Sequence, residues 1–280
     1  MKCAVTGATG FIGSELCRQL SERDVDVTPI GRTLLSSAQL EGVDTLFHCA
    51  GVAHRSASET EHEQGNYRAV LDQAAAAAQA GVRQFVFLSS AKAGDSEDAL
   101  RNHSYGYWKR RAEDALGEQL GPTGTRLVIV RPVLVYGVGV KANLRQLMKA
   151  VRLGLPAPPE QGERSLVGLA DLCDALCAML KVELPDGQAY VITDGERYSL
   201  RRIHDAIRAG LGRRSGNGWI PVPVWRAACS LVDMLRPGES TWDKLFGTEL
   251  FSSENLQSDL RWQPRHRLED EITDMLAALK

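Results

Sequence analysis

No stretch restricts the fold of this chain more than residues 4–16, AVTGATGFIGSEL. A short apolar run leads into Gly7, Gly10 and Gly13, and Ile12, Leu16 and Leu20 then recur at i, i+4 and i+8, the spacing of one helix face. Strand, glycine turn and amphipathic helix in immediate succession open a doubly wound α/β domain. Glycines there allow a tight turn and let backbone N–H groups approach a diphosphate at the helix N-terminus. Gly7, Thr9, Gly10, Phe11, Ile12 and Gly13 are therefore candidate contacts for a dinucleotide; a tight turn without a ligand is the alternative.

The alternation continues. Apolar runs at 26–31, 44–51, 83–91 and 125–137 read as further strands, with helices beginning near Phe11, near Gly65 (including the alanine run 74–78) and at Tyr105. This pattern specifies a Rossmann-type α/β fold, a parallel sheet covered by helices. Thr33 and Asp44 are eleven positions apart, whereas a single crossover between parallel strands takes about 10–12 residues. The third strand of the usual arrangement is expected to be missing, which puts the strand ending near Gly31 at the sheet edge. Residues 1–136 are expected to form the nucleotide-binding domain. Residues 137–280 then make a small α/β substrate-binding region, from which a helix at 168–181 and a strand at 188–194 pack back on the Rossmann sheet. The segment 219–235, WIPVPVWRAACSLVDML, reads as core, with a surface that touches a partner or membrane as the alternative.

A net charge of −2 on 280 residues argues against nucleic acid or an anionic membrane as the main partner. Arg201, Arg202, Arg208, Arg213 and Arg214 form a local basic cluster that reads as a solvated helix face. No run of about 18 apolar residues is present to span a bilayer, and the start turns glycine-rich too soon for a signal peptide. The six scattered cysteines read as small core residues of a cytoplasmic protein. Cys173 and Cys177 stand at i, i+4 but lack companions for a metal site, so none is expected.

Proteins that bind NAD usually carry an acidic residue about 20 positions after the glycines to hold the ribose 2′-OH. Here the chain reads Gly31-Arg32-Thr33. An arginine pairs instead with a 2′-phosphate, so NADP(H) is expected over NAD(H); a solvated edge arginine is the alternative.

The helix HSYGYWKRRAED contains a contradiction. At about 100° per residue, Trp108, Ala112, Ala115, Leu116 and Leu120 gather into one apolar stripe. Tyr105 and Lys109 fall inside it, while Arg110, Arg111, Asp114 and Glu118 fall outside. A buried ammonium is costly unless something uses its charge. Lys109 can lower the phenol pKa of Tyr105 and hold cofactor ribose hydroxyls, leaving Tyr105 to act as acid or base on a carbonyl or alcohol. The alternative is a lysine that snorkels past Trp108 to water.

Together TGATGFIG, DTLFHCAG, FVFLSSAK, YGYWK, VRPVLVYGVG and ERSLVGLADLCDAL resemble, in order, motifs of the extended short-chain dehydrogenase/reductases of the NAD-dependent epimerase/dehydratase type. The resemblance covers nearly the whole chain. It is nearest to bacterial UDP-4-keto-6-deoxy-N-acetylhexosamine 4-reductases of polysaccharide synthesis, through SSAK, VYGVGVKANL and KLFGTELFSSENLQSDLRWQP. It implies a catalytic trio of Tyr105, Lys109 and Ser90, with Ser90 on the reacting sugar oxygen. Ala50 and Gly51 would let the cofactor approach the backbone, and Asn66 would orient groups nearby unless it is only a helix N-cap. Asn143 and Arg164 would face the diphosphate or uridine of a UDP-sugar, unless they serve to cap a helix or brace a loop. The resemblance also implies a homodimer through the helices around Tyr105 and the alanine run.

The shortened 33–43 segment, the trimmed loop before Tyr105 and the bulky Tyr107-Trp108 depart from the family pattern. The expected reaction is reduction of a sugar C4 ketone by NAD(P)H. Epimerisation at C4 with retained NAD is the close alternative. A catalytically silent cofactor-binding sensor or scaffold is the third, and the retained Tyr/Lys pair speaks against it.

Overall fold

The computed structural model describes residues 1–31, 36–52, 57–95, 104–215, 220–235 and 240–279. Strands β1 (Lys2–Thr6), β2 (Asp26–Ile30), β3 (Thr45–His48), β4 (Gln84–Leu88), β5 (Arg126–Pro132) and β8 (Gln188–Ile192) form one sheet in the order β2-β1-β3-β4-β5-β8. Every neighbouring pair in it is parallel. The strand at 26–30 lies at the edge, as its short connection demands. Among the described residues between β2 and β3 there is one 3₁₀ turn, Ser37–Leu40, with Leu40 and Val43 buried.

The sheet is covered on both faces. On one, Ala4, Leu46, Phe85, Phe87, Leu127 and Ile129 pack with Val70, Ala74 and Ala77 of α3 (Ala69–Gln79) and with Ala112, Leu116 and Leu120 of α4 (Ser104–Leu120). On the other, α1 (Phe11–Ser21) lies beside α6 (Leu169–Ala178), where Arg23 pairs with Asp174 and Cys173 Sγ sits 3.7 Å from the Ile12 carbonyl.

Two sequence expectations change here. The helix expected near Gly65 begins earlier, as α2 (Glu59–Glu63), and runs through a π turn (Gln64–Arg68) into α3. Ser58 starts it with a capping box: its side chain accepts from the Glu61 N–H, and the Glu61 carboxylate accepts from the Ser58 N–H at 2.7 Å. The run 125–137 is two strands in different sheets. The paired register with β8 ends at Pro132, and β6 (Leu134–Tyr136) pairs with β7 (Leu166–Gly168).

The chain divides into two compact units, one of residues 1–133, 172–192 and 253–263, the other of 134–171, 193–252 and 264–280. The second contains α5 (Ala142–Arg152), α7 (Leu200–Gly210), α8 (Val222–Leu235), α9 (Thr241–Phe246) and α11 (Leu268–Ala277), while α10 (Glu254–Leu260) belongs to the first. Of the segment expected to be core, the described residues 220–235 are mostly exposed or half-buried. Within α8 only Cys229 is buried, against Leu200 and Phe246, while Leu231 is 53% and Leu235 71% exposed. Hydrophobicity along a sequence records an apolar helix but not how many of its sides are covered. No helix among the described residues is long and apolar enough to cross a membrane.

A charge pair braces the sheet where α4 crosses it. Glu113 is 4% exposed, accepts from the Ser89 hydroxyl and forms a two-pronged pair with Arg131 of β5. Removing the carboxylate would strand a largely buried guanidinium. Glu113→Ala is expected to cost about 3 kcal/mol in urea unfolding; a loss below about 1 kcal/mol would mean that the pair behaves like an exposed one.

Candidate functional site

The first half of the site is backbone. Gly7 adopts φ +66°, and a Cβ there would stand 2.8 Å from the Ala50 nitrogen, so the turn after β1 lies directly against the chain leaving β3. A Cβ on Gly13 would fall 2.3 Å from the Gly7 carbonyl oxygen, so the first turn of α1 rests on that carbonyl. Gly10 closes the turn with an N–H to the same oxygen at 2.8 Å. The helix then opens with no side-chain cap and no acidic residue in its first turn. Its free N–H groups and the positive end of its dipole are left for an anion. Thr9 is exposed at this mouth, and Phe11 and Ile12 are half-buried. Arg32 lies outside the described residues.

The second half is a buried polar cluster behind β3 and β4. Asn66, fully buried in the π turn, is not an N-cap. Its Oδ1 accepts from the Val52 N–H at 3.0 Å and its Nδ2 donates to the Val52 carbonyl at 2.8 Å, clamping the chain after β3. A Cβ on Gly51 would stand 2.9 Å from Asn66 Oδ1 and 3.2 Å from Lys109 Nζ. Glycine at 51 is therefore required before any ligand is considered.

Lys109 points inward, as its place in the stripe requires, and is 2% exposed. Its Nζ donates to the Leu88 carbonyl at 2.9 Å and lies 4.6 Å from the centroid of the Phe87 ring. Burial pulls its pKa down to about 8 against the pull of Cys49 and Glu113. An ammonium carries three donors, and among the described residues only one has a partner.

Tyr105, half-buried one turn earlier on α4, has the Ser90 hydroxyl close enough to act on its phenol. Close packing brings them together: a Cβ on Gly106 would lie 2.9 Å from the Lys92 carbonyl oxygen. Ser90 also starts the following turn, its Oγ accepting from the Lys92 N–H at 3.2 Å. Burial pushes the Tyr105 phenol up to about 12, with the Ser90 hydrogen bond pulling weakly the other way. The expectation that Lys109 lowers this pKa is not met: the ammonium is engaged at the Leu88 carbonyl and the Phe87 ring, and desolvation of the phenol dominates.

His62 escaped the sequence reading. Its ring centroid lies 6.1 Å from that of Tyr105, and its Nδ1 is 3.2 Å from the Val52 carbonyl oxygen and 3.3 Å from Asn66 Nδ2. Its one signal was the i, i+4 spacing to Asn66. Tyr105, Ser90, Lys109, Asn66 and Gly51 thus converge with the glycine turn in one unit. In the other unit, Asn143 is exposed in the first turn of α5. Arg164 donates to the Lys244 and Leu245 carbonyls at the end of α9, at 2.9 and 3.3 Å, which makes it a brace for its loop.

The profile of the NAD dependent epimerase/dehydratase family matches residues 3–193, most of the chain, including the glycine turn, Ser90 and the Tyr105/Lys109 pair. The chain belongs to that family. It is an NAD(P)-dependent enzyme of the extended short-chain dehydrogenase/reductase type. It is 27% identical to UDP-glucose 4-epimerase of Vibrio cholerae, covering 95% of this chain and 92% of that one. It is 35% identical to UDP-2-acetamido-2,6-beta-L-arabino-hexul-4-ose reductase of Pseudomonas aeruginosa over 43% of this chain and 33% of that one. The fold is similar to UDP-glucuronic acid 4-epimerase from Bacillus cereus in complex with NAD, with a TM-score of 0.78 over 100% of this chain and 99% of that one, at 17% identity. The uncapped helix start, the glycine cradle and the under-bonded buried ammonium fit the diphosphate and ribose of a nicotinamide dinucleotide.

The site is costly to the fold, and pH exposes the cost. Between about 8 and the ordinary 10.5, the folded chain holds fewer protons on Lys109 than the unfolded chain. Stability from this side chain is therefore present above that window and lost as pH falls through 8. Lys109→Met is expected to exceed the wild type by on the order of 3 kcal/mol in urea unfolding at neutral pH. The difference is expected to close as pH rises to 10.5; a difference independent of pH would refute the assignment.

Proposed function

We propose that this protein reduces the C4 keto group of a UDP-4-keto-6-deoxy-hexosamine with hydride from NAD(P)H, with NADP(H) preferred. The observation that carries this reading is the pairing of Tyr105 with Ser90 beside the buried Lys109. Two hydroxyls on one spot suit a carbonyl oxygen, which accepts a hydrogen bond from each. A phenol whose pKa is about 12 is protonated at neutral pH, and is therefore an acid ready to give its proton to the oxygen on which charge develops. The bound dinucleotide supplies the hydride. Lys109 has donors left for ribose hydroxyls, and solvent returns the Tyr105 proton after the alcohol forms.

Cofactor contacts are assigned to Gly7, Thr9, Gly10, Phe11, Ile12 and Gly13 at the diphosphate, and to Ala50, Gly51, Asn66, Tyr105 and Lys109 around the ribose and nicotinamide. Arg32 is assigned to the 2′-phosphate, because the sequence after β2 carries an arginine where an acidic residue would hold a 2′-OH. Asn143 is assigned to the UDP-sugar directly, and Arg164 to shaping the loop that receives it. Free cysteines throughout the described residues support a reducing, cytoplasmic setting.

Epimerisation at C4 is the second reading, favoured by the nearly full-length similarity to the Vibrio cholerae 4-epimerase. It uses the same residues but needs Tyr105 first as a base.

The discriminating experiment denatures the purified protein, identifies any released nucleotide, then follows deuterium from labelled NADPH into product. Deuterium at C4 supports reduction; stoichiometric NAD released on denaturation with no net transfer supports epimerisation. Tyr105→Phe is expected to lower kcat roughly 10²–10⁴-fold while leaving NADPH affinity unchanged. Equal losses in both would make Tyr105 a binding residue only.

A further inference from the structure

The outward face of α8 takes no part in the chemistry above, and nothing among the described residues covers it. At about 100° per residue, Val222, Trp225, Cys229 and Asp233 share the inner side, and Cys229 packs there with Leu200, Phe246 and Trp242. The opposite side carries Val224, Ala227, Ala228, Leu231, Met234 and Leu235, with no charge among them. Val224 and Leu231 are each more than half exposed, and Met234 and Leu235 reach 71%. The two charges of α8 are both engaged away from that face. Arg226 lies over the Trp242 ring at 4.4 Å, and Asp233 accepts from the Thr241 N–H at 2.9 Å. A helix apolar on both sides is ordinarily covered on both.

The neighbouring charge indicates what covers it. Between Leu200 and Leu231 the chain carries six arginines against one aspartate. Arg201 pairs with Asp205, and Arg202 pairs with Glu196 and Glu269. Arg208, Arg213, Arg214 and Arg226 have no carboxylate partner among the described residues. Arg208 donates to the Arg214 carbonyl, and Arg213 to those of Val151 and Arg152, contacts that leave their charge in place. Uncompensated guanidinium groups leading into an apolar helix face match a surface of acyl chains bordered by phosphates.

A second copy of this chain fits less well. The helix is about 21 Å long, so a stripe about 10 Å wide would bury roughly 400 Å² between two copies, against about 1,200 Å² for a stable interface. Such a pairing would also bring the arginines of both copies together.

We propose that α8 docks the protein on an anionic phospholipid bilayer. The helix lies in the interface plane, with its outer stripe at the acyl boundary and the guanidinium groups of Arg208, Arg213 and Arg214 on lipid phosphates. This surface is independent of the reading of the active site.

The test is co-sedimentation of the full chain with vesicles of phosphatidylcholine containing about one-third phosphatidylglycerol, and with phosphatidylcholine alone. Binding is expected to the mixed vesicles and to weaken with salt. Arg213→Gln with Arg214→Gln is expected to reduce partitioning by about fivefold per arginine. Leu231→Glu with Leu235→Glu is expected to reduce it at least about tenfold, with wild-type NADPH titration and thermal unfolding. Wild-type protein that stays in solution with the mixed vesicles overturns the proposal. So does a dimer, seen by light scattering, that the glutamate variant dissociates while no vesicle binding is found; that result assigns the face to a second copy.

Discussion

The arrangement of the site depends on one ammonium held in a dry interior. Lys109 has the Leu88 carbonyl below it and the Phe87 ring beside it, and it reaches this place because α4 crosses the sheet at β4. The consequences spread outward. Residue 51 has no side chain because a Cβ would press on Nζ and on Asn66. Asn66 is committed to the backbone of Val52, which fixes the chain leaving β3 at the distance this packing requires. One turn along α4, Glu113 places a carboxylate in the same interior, tied to Arg131 and Ser89, so the lysine is not the only charge the sheet accommodates. His48 responds in the opposite sense. Burial, and then the charge of Lys109, push its pKa down to about 3, and it stays neutral with Nδ1 2.8 Å from Gln73 Oε1.

How much of this could be read from the sequence depends on how local the cause is. The glycine turn and α1 were legible because adjacent residues set a strand, a turn and a helix face. The edge position of β2 was legible because eleven positions cannot hold another crossover. Lys109 was legible as inward-pointing by helix arithmetic alone. Glu113 lies on the same face at i+4, but a glutamate next to Asp114 gives no local sign of a partner on β5. Ser58 and Glu61 held a readable capping box that places the start of α2 correctly, and the alanine run drew attention past it. His62 and the split at Pro132 depend on contacts distant in sequence. So does Arg164, whose guanidinium donates to the carbonyls of Lys244 and Leu245 at the end of a short helix.

The phenol illustrates why residue types alone do not set a reaction direction. A tyrosine and lysine at i, i+4 suggest a lowered phenol pKa, yet distance to the charge and loss of solvent decide the outcome. Here desolvation prevails, so the Tyr105 phenol is protonated at neutral pH. Adding a positively charged nicotinamide next to it would favour the phenolate, while a neutral reduced one would not. A phenol so placed would be an acid beside one cofactor state and a base beside the other.

Two elements break the rule that charge faces water and apolar groups face inward, and they break it in opposite directions. On α4 a charge is turned inward, and the cost is offset only if a ligand uses the unfilled donors of Lys109. On α8 an apolar face is turned outward, and the cost is offset only if something replaces water there. A net charge of −2 conceals the second case, because it averages acidic helices such as α11 with the arginine-rich stretch before α8. Partners respond to charge within about a Debye length, some 8–10 Å, rather than to the sum over a molecule. A local basic stretch beside an uncovered apolar helix is therefore a statement about binding that the total cannot contradict.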